Sequence, residues 1–356
     1  MGKVTHFFLG ANSGQGFQNL FPTFCQAEQY HDFLVLKGGP GCGKSTMMRK
    51  IGEAMEARGE TVEYLHCSGD PDSLDGVYIP RIATAVVDGT APHTIEPRYP
   101  VAVDRYVNLG QFYDISAGKQ HREAIIYRTK AYKEAYRGAY HLFGAARELE
   151  EHLSALLLQG ADMAKLARRT EGIIARELRG KGKGAREQYR FLGSLTHKGA
   201  VWQFDSVETL CPRIYHLLDS FGLATSMLEQ IRTVARAKQY AMILCPDPEH
   251  RERIQHLLLP ELGLAFVTVR EGMACPCEAY RRIHLDAMIA PTHQKQWNGK
   301  VKLTKKLIRT IRMEGVDLLR LAKQEHDQLE AIYLPSVDFD GLNALTAQEI
   351  ARMASD

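Results

Sequence analysis
A mostly parallel α/β architecture, built as two tandem P-loop NTPase-like modules with helical appendages, is the fold class this sequence predicts. Three observations predict it. An apolar run over residues 34–36 enters a glycine loop, residues 38–45, that opens a helix-compatible segment. Short apolar runs alternate with helical patterns around that loop. A later stretch of the chain then repeats landmarks of the earlier one in the same order.

The loop reads Gly38-Gly39-Pro40-Gly41-Cys42-Gly43-Lys44-Ser45-Thr46. It fits G-x-x-x-x-G-K-[ST], the Walker A pattern, between a strand and a helix as that pattern requires. Gly38, Gly41 and Gly43 permit a backbone curl with its N–H groups facing inward, where a side chain would exclude phosphate. Lys44 brings a compact charge to the β and γ phosphates, and the Ser45 hydroxyl suits Mg²⁺. The helix opening near Lys44 adds its positive dipole end. ATP with Mg²⁺ is the expected ligand pair, cradled by residues 38–46.

The elements follow in order. His6-Phe7-Phe8-Leu9-Gly10 reads as a strand and Ser13-Gly14-Gln15-Gly16 as a turn. After the loop helix come the β-rich run over residues 61–67 and an acidic loop, Asp70-Pro71-Asp72-Ser73-Leu74-Asp75-Gly76. An apolar strand over residues 82–87 ends at Asp88-Gly89. Residues 120–159 turn helical, with Tyr127, Tyr132, Tyr136, Tyr140 and Phe143 as a packing stripe, and a further helix covers 162–178. Residues 179–186 alternate three glycines with basic residues and read as a flexible junction.

Past that junction the first half returns. Gly193 and Gly199 stand 183 positions after Gly10 and Gly16, each glycine pair led by a Phe-Leu. Cys245, Asp247-Pro248 and Leu259-Pro260 echo Cys67, Asp70-Pro71 and Ile79-Pro80. Leu342, Thr346 and Ile350 echo Leu166, Thr170 and Ile174 at a constant offset of 176. The expected organisation is a module with an intact Walker A over residues 1–178, the junction over 179–186, and a degenerate module over 187–356. Laying Gly222 on Gly41 places Asp219 beside the phosphates, Ala224 in the tight turn and Thr225 where the lysine belongs. Repulsion and lost charge then predict no ordinary ATP binding in the second half. Its expected role is structural, or else trans-acting through one of Arg213, Arg232, Arg236, Arg251 and Arg270.

Asp88, at the end of an apolar strand, occupies a Walker B position and is expected to hold Mg²⁺ with Ser45. Gly89 follows it, not the glutamate that many rapid ATPases use to activate water. Asp70, Asp72 and Asp75 are candidate bases toward a substrate hydroxyl, or simply a solvated turn. His93 is a weak candidate γ-phosphate sensor. Cys275-Pro276-Cys277 with His284 lacks the familiar zinc spacings. Residues 295–312 carry seven basic side chains and no acid, a solvated helix face or a surface for nucleic acid. Neither an N-K-x-D nor an L-S-G-G-Q motif is present.

Bulk composition agrees. The chain has 356 residues, room for about two domains of ~150 each. At 45% apolar and 24% charged residues it can bury a substantial core, and a formal charge of +3 is too small to argue for nucleic acid. Seven cysteines without regular spacing point to reduced thiols in the cytoplasm. No apolar run approaches the ~18 residues of a membrane span, and no signal-peptide pattern opens the sequence, so no membrane partner is expected.

The motifs Lys37-Gly38-Gly39-Pro40-Gly41-Cys42-Gly43-Lys44-Ser45-Thr46, residues 66–76 and Asp88-Gly89-Thr90-Ala91-Pro92-His93 together resemble a family of bacterial tandem P-loop proteins known only as ATPases or nucleotide kinases. The resemblance covers nearly the whole chain and implies ATP and Mg²⁺; it supplies no substrate. Members often keep a glycine-lysine loop in the second module, and this chain departs there. The leading expectation is a slow ATP-hydrolysing switch using Lys44, Ser45 and Asp88. The alternatives are a small-molecule or nucleotide kinase with Asp70 or Asp72 as base, and a nucleotide-gated adaptor for nucleic acid or protein working through residues 295–312.

Overall fold
In the computed structural model, which describes residues 2–355, the apolar runs and helical patterns form two mixed six-stranded sheets of mostly parallel strands with flanking helices. The first half supplies β1 (Val4–Phe8), a hairpin of β2 (Gly10–Ser13) and β3 (Gly16–Asn19), and the short α1 (Phe21–Phe24). There follow β4 (Asp32–Lys37), α2 (Lys44–Ala57), β5 (Val62–His66), β6 (Leu74–Ile79), β7 (Thr84–Asp88) and β8 (Asp104–Asn108). A short α3 (Ile115–Gln120) leads into the long α4 (Arg122–Leu158) and then α5 (Met163–Glu177). The second half supplies β9 (Glu187–Tyr189), the hairpin β10 (Gly193–Thr196) and β11 (Gly199–Trp202), α6 (Phe204–Leu210), β12 (Arg213–Leu218) and α7 (Leu223–Ala237). It closes with β13 (Met242–Asp247), β14 (His250–Leu259), β15 (Leu264–Val269), β16 (Arg281–His284), the long α8 (Pro291–Tyr333) and α9 (Phe339–Met353).

The sheets run β1-β5-β6-β7-β4-β8 and β9-β13-β14-β15-β12-β16. Order and polarity match strand for strand, with β6 and β14 the members antiparallel to both neighbours. The two hairpins face each other, and Phe8 and Phe191 exchange backbone hydrogen bonds of 2.9 and 2.8 Å. Such reciprocal pairing of corresponding residues is the signature of an approximate two-fold relation. Around it Phe7, Phe8, Phe21, Phe191, Phe204 and Val207 form one core cluster drawn from both halves.

The terminal helices cross over. Leu166 and Ile173 of α5 pack with Tyr215, Leu223 and Leu228 of the second half. Leu342 and Met353 of α9 pack with Leu34, Met47 and Met48 of the first. Each crossing helix starts at an aspartate N-cap: Asp162 accepts from the Lys165 N–H at 2.8 Å and Asp338 from the Gly341 N–H at 3.0 Å. The long helices α4 and α8 run antiparallel, tied by Arg128–Glu325 at 2.7 Å and Arg312–Glu150 at 2.6 Å. Between these ties Phe143 is fully buried against Gly315, where an added Cβ would meet its ring at 2.4 Å. Burying such a ring is worth about 1.5–3 kcal/mol. Tyr132 and Tyr136 of the aromatic stripe pack here as expected, whereas Tyr127 is exposed.

Several expectations need correction. The acidic loop stops at Ser73, because residues 74–76 pair with β5 and β7 as part of β6. Residues 179–186 are no free tether: Gly182 and Gly184 donate to the Lys238 and Gln239 carbonyls, and Tyr240 Oη donates to the Arg179 carbonyl. Sheet register equates Cys245 with Leu65 rather than with Cys67. Among the described residues no helix is long and apolar enough to cross a membrane, and all seven cysteines are free thiols.

Candidate functional site
Parallel pairing of β4 with β7 sets Leu36 opposite Asp88, so the glycine loop leaves the sheet beside that carboxylate. Gly41 (φ +73°) and Gly43 (φ +81°) take the left-handed conformation, and Gly43 caps α2. An added Cβ at Gly43 would also strike Leu342 of α9 at 2.4 Å. The Lys44 ammonium folds back onto its own loop, donating to the Gly38 and Gly39 carbonyls at 2.7 and 2.9 Å, and lies 3.7 Å from Asp88 Oδ2. Asp88 Oδ1 accepts from the Thr90 N–H at 2.8 Å and its hydroxyl at 2.6 Å, which fixes the carboxylate. Ser45 Oγ accepts from the Leu74 N–H at 2.9 Å. Pro40 offers its carbonyl to Tyr113 Oη at 2.6 Å, Cys42 is buried under the loop, and Thr46 is exposed on the first turn of α2.

The other predicted acids divide. Asp70 accepts from Ser73 Oγ and pairs with Lys323 at 3.5 Å. Asp72 pairs with Lys198 at 2.5 Å, a bond that holds its exposed carboxylate below the usual range. Neither joins Lys44. Asp75 does the reverse: carried by β6, it is buried, with Oδ1 3.9 Å from His93 Nε2. Burial pushes its carboxyl above the usual range; the His93 charge opposes this and the Asp88 charge adds to it. Donor atoms of Asp75, Asp88 and His93 all lie within 4.8 Å of one another. The sequence offers Asp75 as a candidate base and His93 as a candidate phosphate sensor, but nothing in their spacing sets them together beside Asp88.

The second half walls this site. Glu330 Oε1 accepts from the Gly41 N–H at 3.2 Å, so a carboxylate already engages one loop amide. Tyr333 packs on Tyr113 at 5.4 Å between ring centres, and His197 Nδ1 lies 3.2 Å from the Gly69 carbonyl. The candidate trans-acting arginines are committed elsewhere: Arg213 to Glu177, Arg232 and Arg236 to Glu187, and Arg270 to Asp247. Arg251 is exposed on β14.

In the second half the same place is filled from within. Asp219 is buried; its Oδ1 accepts from the Phe221 and Gly222 N–H groups at 3.0 Å each, and its Oδ2 from the Ala224 N–H at 2.7 Å. Gly222 (φ +96°) caps α7 as Gly43 caps α2, which corrects the alignment of Gly222 with Gly41 by two residues. Only residues 219–221 separate β12 from that cap, against 38–42 in the first half. Buried Leu223, not Thr225, therefore opens the helix where Lys44 does, and Thr268 faces Leu217 where Asp88 faces Leu36.

Of the remaining motifs, Cys275 Sγ lies 3.7 Å from His216 Nε2, not against His284, on the wall of a cavity of about 780 Å³. Residues 295–312 fall within α8, where Thr304 and Ile308 are buried while Leu303 and Leu307 are exposed. Lys305 and Arg312 there are paired with Glu271 and Glu150.

Fold and loop together define an α/β protein with two mixed sheets. Residues 17–77 match the family described as nephrocystin 3, N-terminal. That segment runs from β3 into β6 and takes in the whole glycine loop, leaving the second half outside. No curated protein and no solved structure matches the chain.

Proposed function
We propose that this chain is an ATP-binding P-loop NTPase, hydrolysing ATP slowly with Mg²⁺ and acting as a switch. On this reading its halves are tandem P-loop-type modules, of which only the first keeps a nucleotide site. The observation that carries it is the pairing of Lys44 with Asp88 at the C-terminal ends of β4 and β7, with Ser45 next along α2, behind a loop whose two left-handed glycines a side chain would obstruct. The donor set fits the ligands: hydroxyl and carboxylate oxygens suit Mg²⁺, and loop amides with a helix N-terminus suit phosphate.

Lys44 holds its charge in reserve on the Gly38 and Gly39 carbonyls and transfers it to the β and γ phosphates. Ser45 and Asp88 would hold Mg²⁺, whose charge offsets that developing on the phosphate oxygens. The Lys44 and Asp88 side chains are each only 13% exposed, which strengthens both interactions. Glu330 must release the Gly41 N–H as phosphate arrives, so nucleotide occupancy is felt by α8. Gly89 supplies no carboxylate after Asp88, in keeping with slow turnover. The kinase alternative would need Asp70 or Asp72 freed from Lys323 and Lys198.

The test is incubation with γ-labelled ATP and Mg²⁺, alone and with a metabolite extract. One nucleotide bound per chain and slow phosphate release without acceptor are expected, both abolished by Lys44→Ala. Label accumulating on a metabolite would replace this reading with the kinase; no binding at millimolar ATP would end both.

A further inference from the structure
We infer that Asp75, Asp88 and His93 form a divalent transition-metal site that fills without nucleotide. The inference deepens the nucleotide reading by using Asp88, yet it stands on its own observations.

Two carboxylates and one imidazole bring donor atoms to within 4.8 Å of one another. Ligands bonded at ~2.1 Å sit roughly 3–4.2 Å apart around one ion, so small side-chain rotations close the set. The rest of the site is already built. Asp88 is fixed by Thr90 through Oδ1, while its Oδ2 lies 3.7 Å from Lys44. The His93 ring is stacked on Phe21 at 4.5 Å and contacts Phe17 at 5.9 Å, so packing sets its orientation. Asp75 and His93 are each 4% exposed, yet Asp75 Oδ2 and His93 Nδ1 have no hydrogen-bond partner. A buried polar atom without a partner is costly, and an acid facing a second acid is more so. Among the described residues Lys44 is the lysine or arginine that pairs with these carboxylates, and the phosphate reading assigns it elsewhere. A bound dication relieves the strain on the carboxylates: it accepts Asp75 lone pairs, balances the two acids and frees Lys44 from Asp88.

Ligand type sets the class of metal. Mg²⁺ prefers an all-oxygen shell with several waters, whereas one imidazole beside two carboxylates favours Mn²⁺, Fe²⁺, Co²⁺ or Zn²⁺.

The test titrates Mn²⁺ into the full-length, nucleotide-free protein and follows loss of the free-ion signal by electron paramagnetic resonance. One Mn²⁺ per chain is expected, retained against a hundredfold excess of Mg²⁺, with pulsed spectra showing nitrogen coupling from one imidazole. His93→Gln should abolish that coupling, and Asp75→Asn should weaken binding at least thirtyfold. Lys44→Ala should lose ATP but keep Mn²⁺, which separates this inference from the nucleotide reading. The inference is overturned if wild-type protein takes Mn²⁺ only with ATP present, or if bound Mn²⁺ lacks the nitrogen coupling. The coupling is read on wild-type protein, so a variant that folds poorly cannot rescue the idea.

Discussion

One loop is five residues long and glycine-lined, with a lysine at its end; its counterpart is three residues long and closed around its own aspartate. Both loops solve the same physical problem, the orphan N–H groups at a helix start. The first leaves amides for an outside anion, with Glu330 lying against one of them. The second supplies the anion internally and permanently. The first loop is thus a helix cap left open, and in the second a loop two residues shorter with one carboxylate is enough to shut it.

The sharpest way to break this comparison is to truncate the residue that opens the loop helix in each half. Lys44→Ala should weaken ATP binding by 100-fold or more, about 3 kcal/mol, while Leu223→Ala, at the matching helix start, leaves it unchanged. Isothermal titration with Mg²⁺ present reads both, and equal effects would show that the halves are not distinct. Next in size is the closed loop itself. Asp219→Ala removes the acceptor of three N–H groups and should cost about 2–3 kcal/mol in urea unfolding. It should not create nucleotide binding, because the loop remains two residues short.

A third test concerns the contacts between the halves. Glu249 accepts from the Gly14 N–H at 2.8 Å, in the place where the related contact pairs His197 with the Gly69 carbonyl. Burial raises the Glu249 carboxyl to about 7, against opposition from the Gly14 N–H bond. The folded state therefore holds the proton longer than the unfolded one, whose glutamate titrates near 4.5. Stability from this group is full below about pH 4.5 and is lost as pH rises through about 7. Glu249→Gln should flatten that slope and stabilise the protein at pH 8 by about 2 kcal/mol, read from melts across the range. The smallest expected effect is at the open loop. Glu330→Gln lowers the charge against Gly41 and should tighten ATP binding three- to tenfold, about 1 kcal/mol, in the same titration.

The local parts of this structure were legible in sequence. The Walker pattern places its strand, loop and helix, Asp88 ends its strand, and the helix expected over residues 162–178 forms with Asp162 as cap and Leu178 as its end. What escaped was non-local. Asp75 reads as a candidate base or a solvated turn residue until β5 and β7 pair on both sides of it and bury it. His93 gains meaning only from Phe21 and Asp75, which are far away in sequence. Spacing alone set Gly222 on Gly41, because α7 is one residue longer than α2 and helps conceal the shortened loop. Asp219 was read as repelling an outside anion, whereas its geometry makes it a substitute for one. The partners of Asp70 and Asp72, Lys323 and Lys198, come from the second half and leave no local trace.

The crossed helices α5 and α9 bind the fate of the two halves together. Cutting the chain after α8 would strip Leu342 and Met353 from Met47, Met48 and Ile51, so damage at the far end would surface behind the glycine loop. Splitting the chain at residues 179–186 would leave each fragment wearing the other's last helix, like two people who have swapped coats. A half whose loop is closed can then still be indispensable, because it tailors the half whose loop is open.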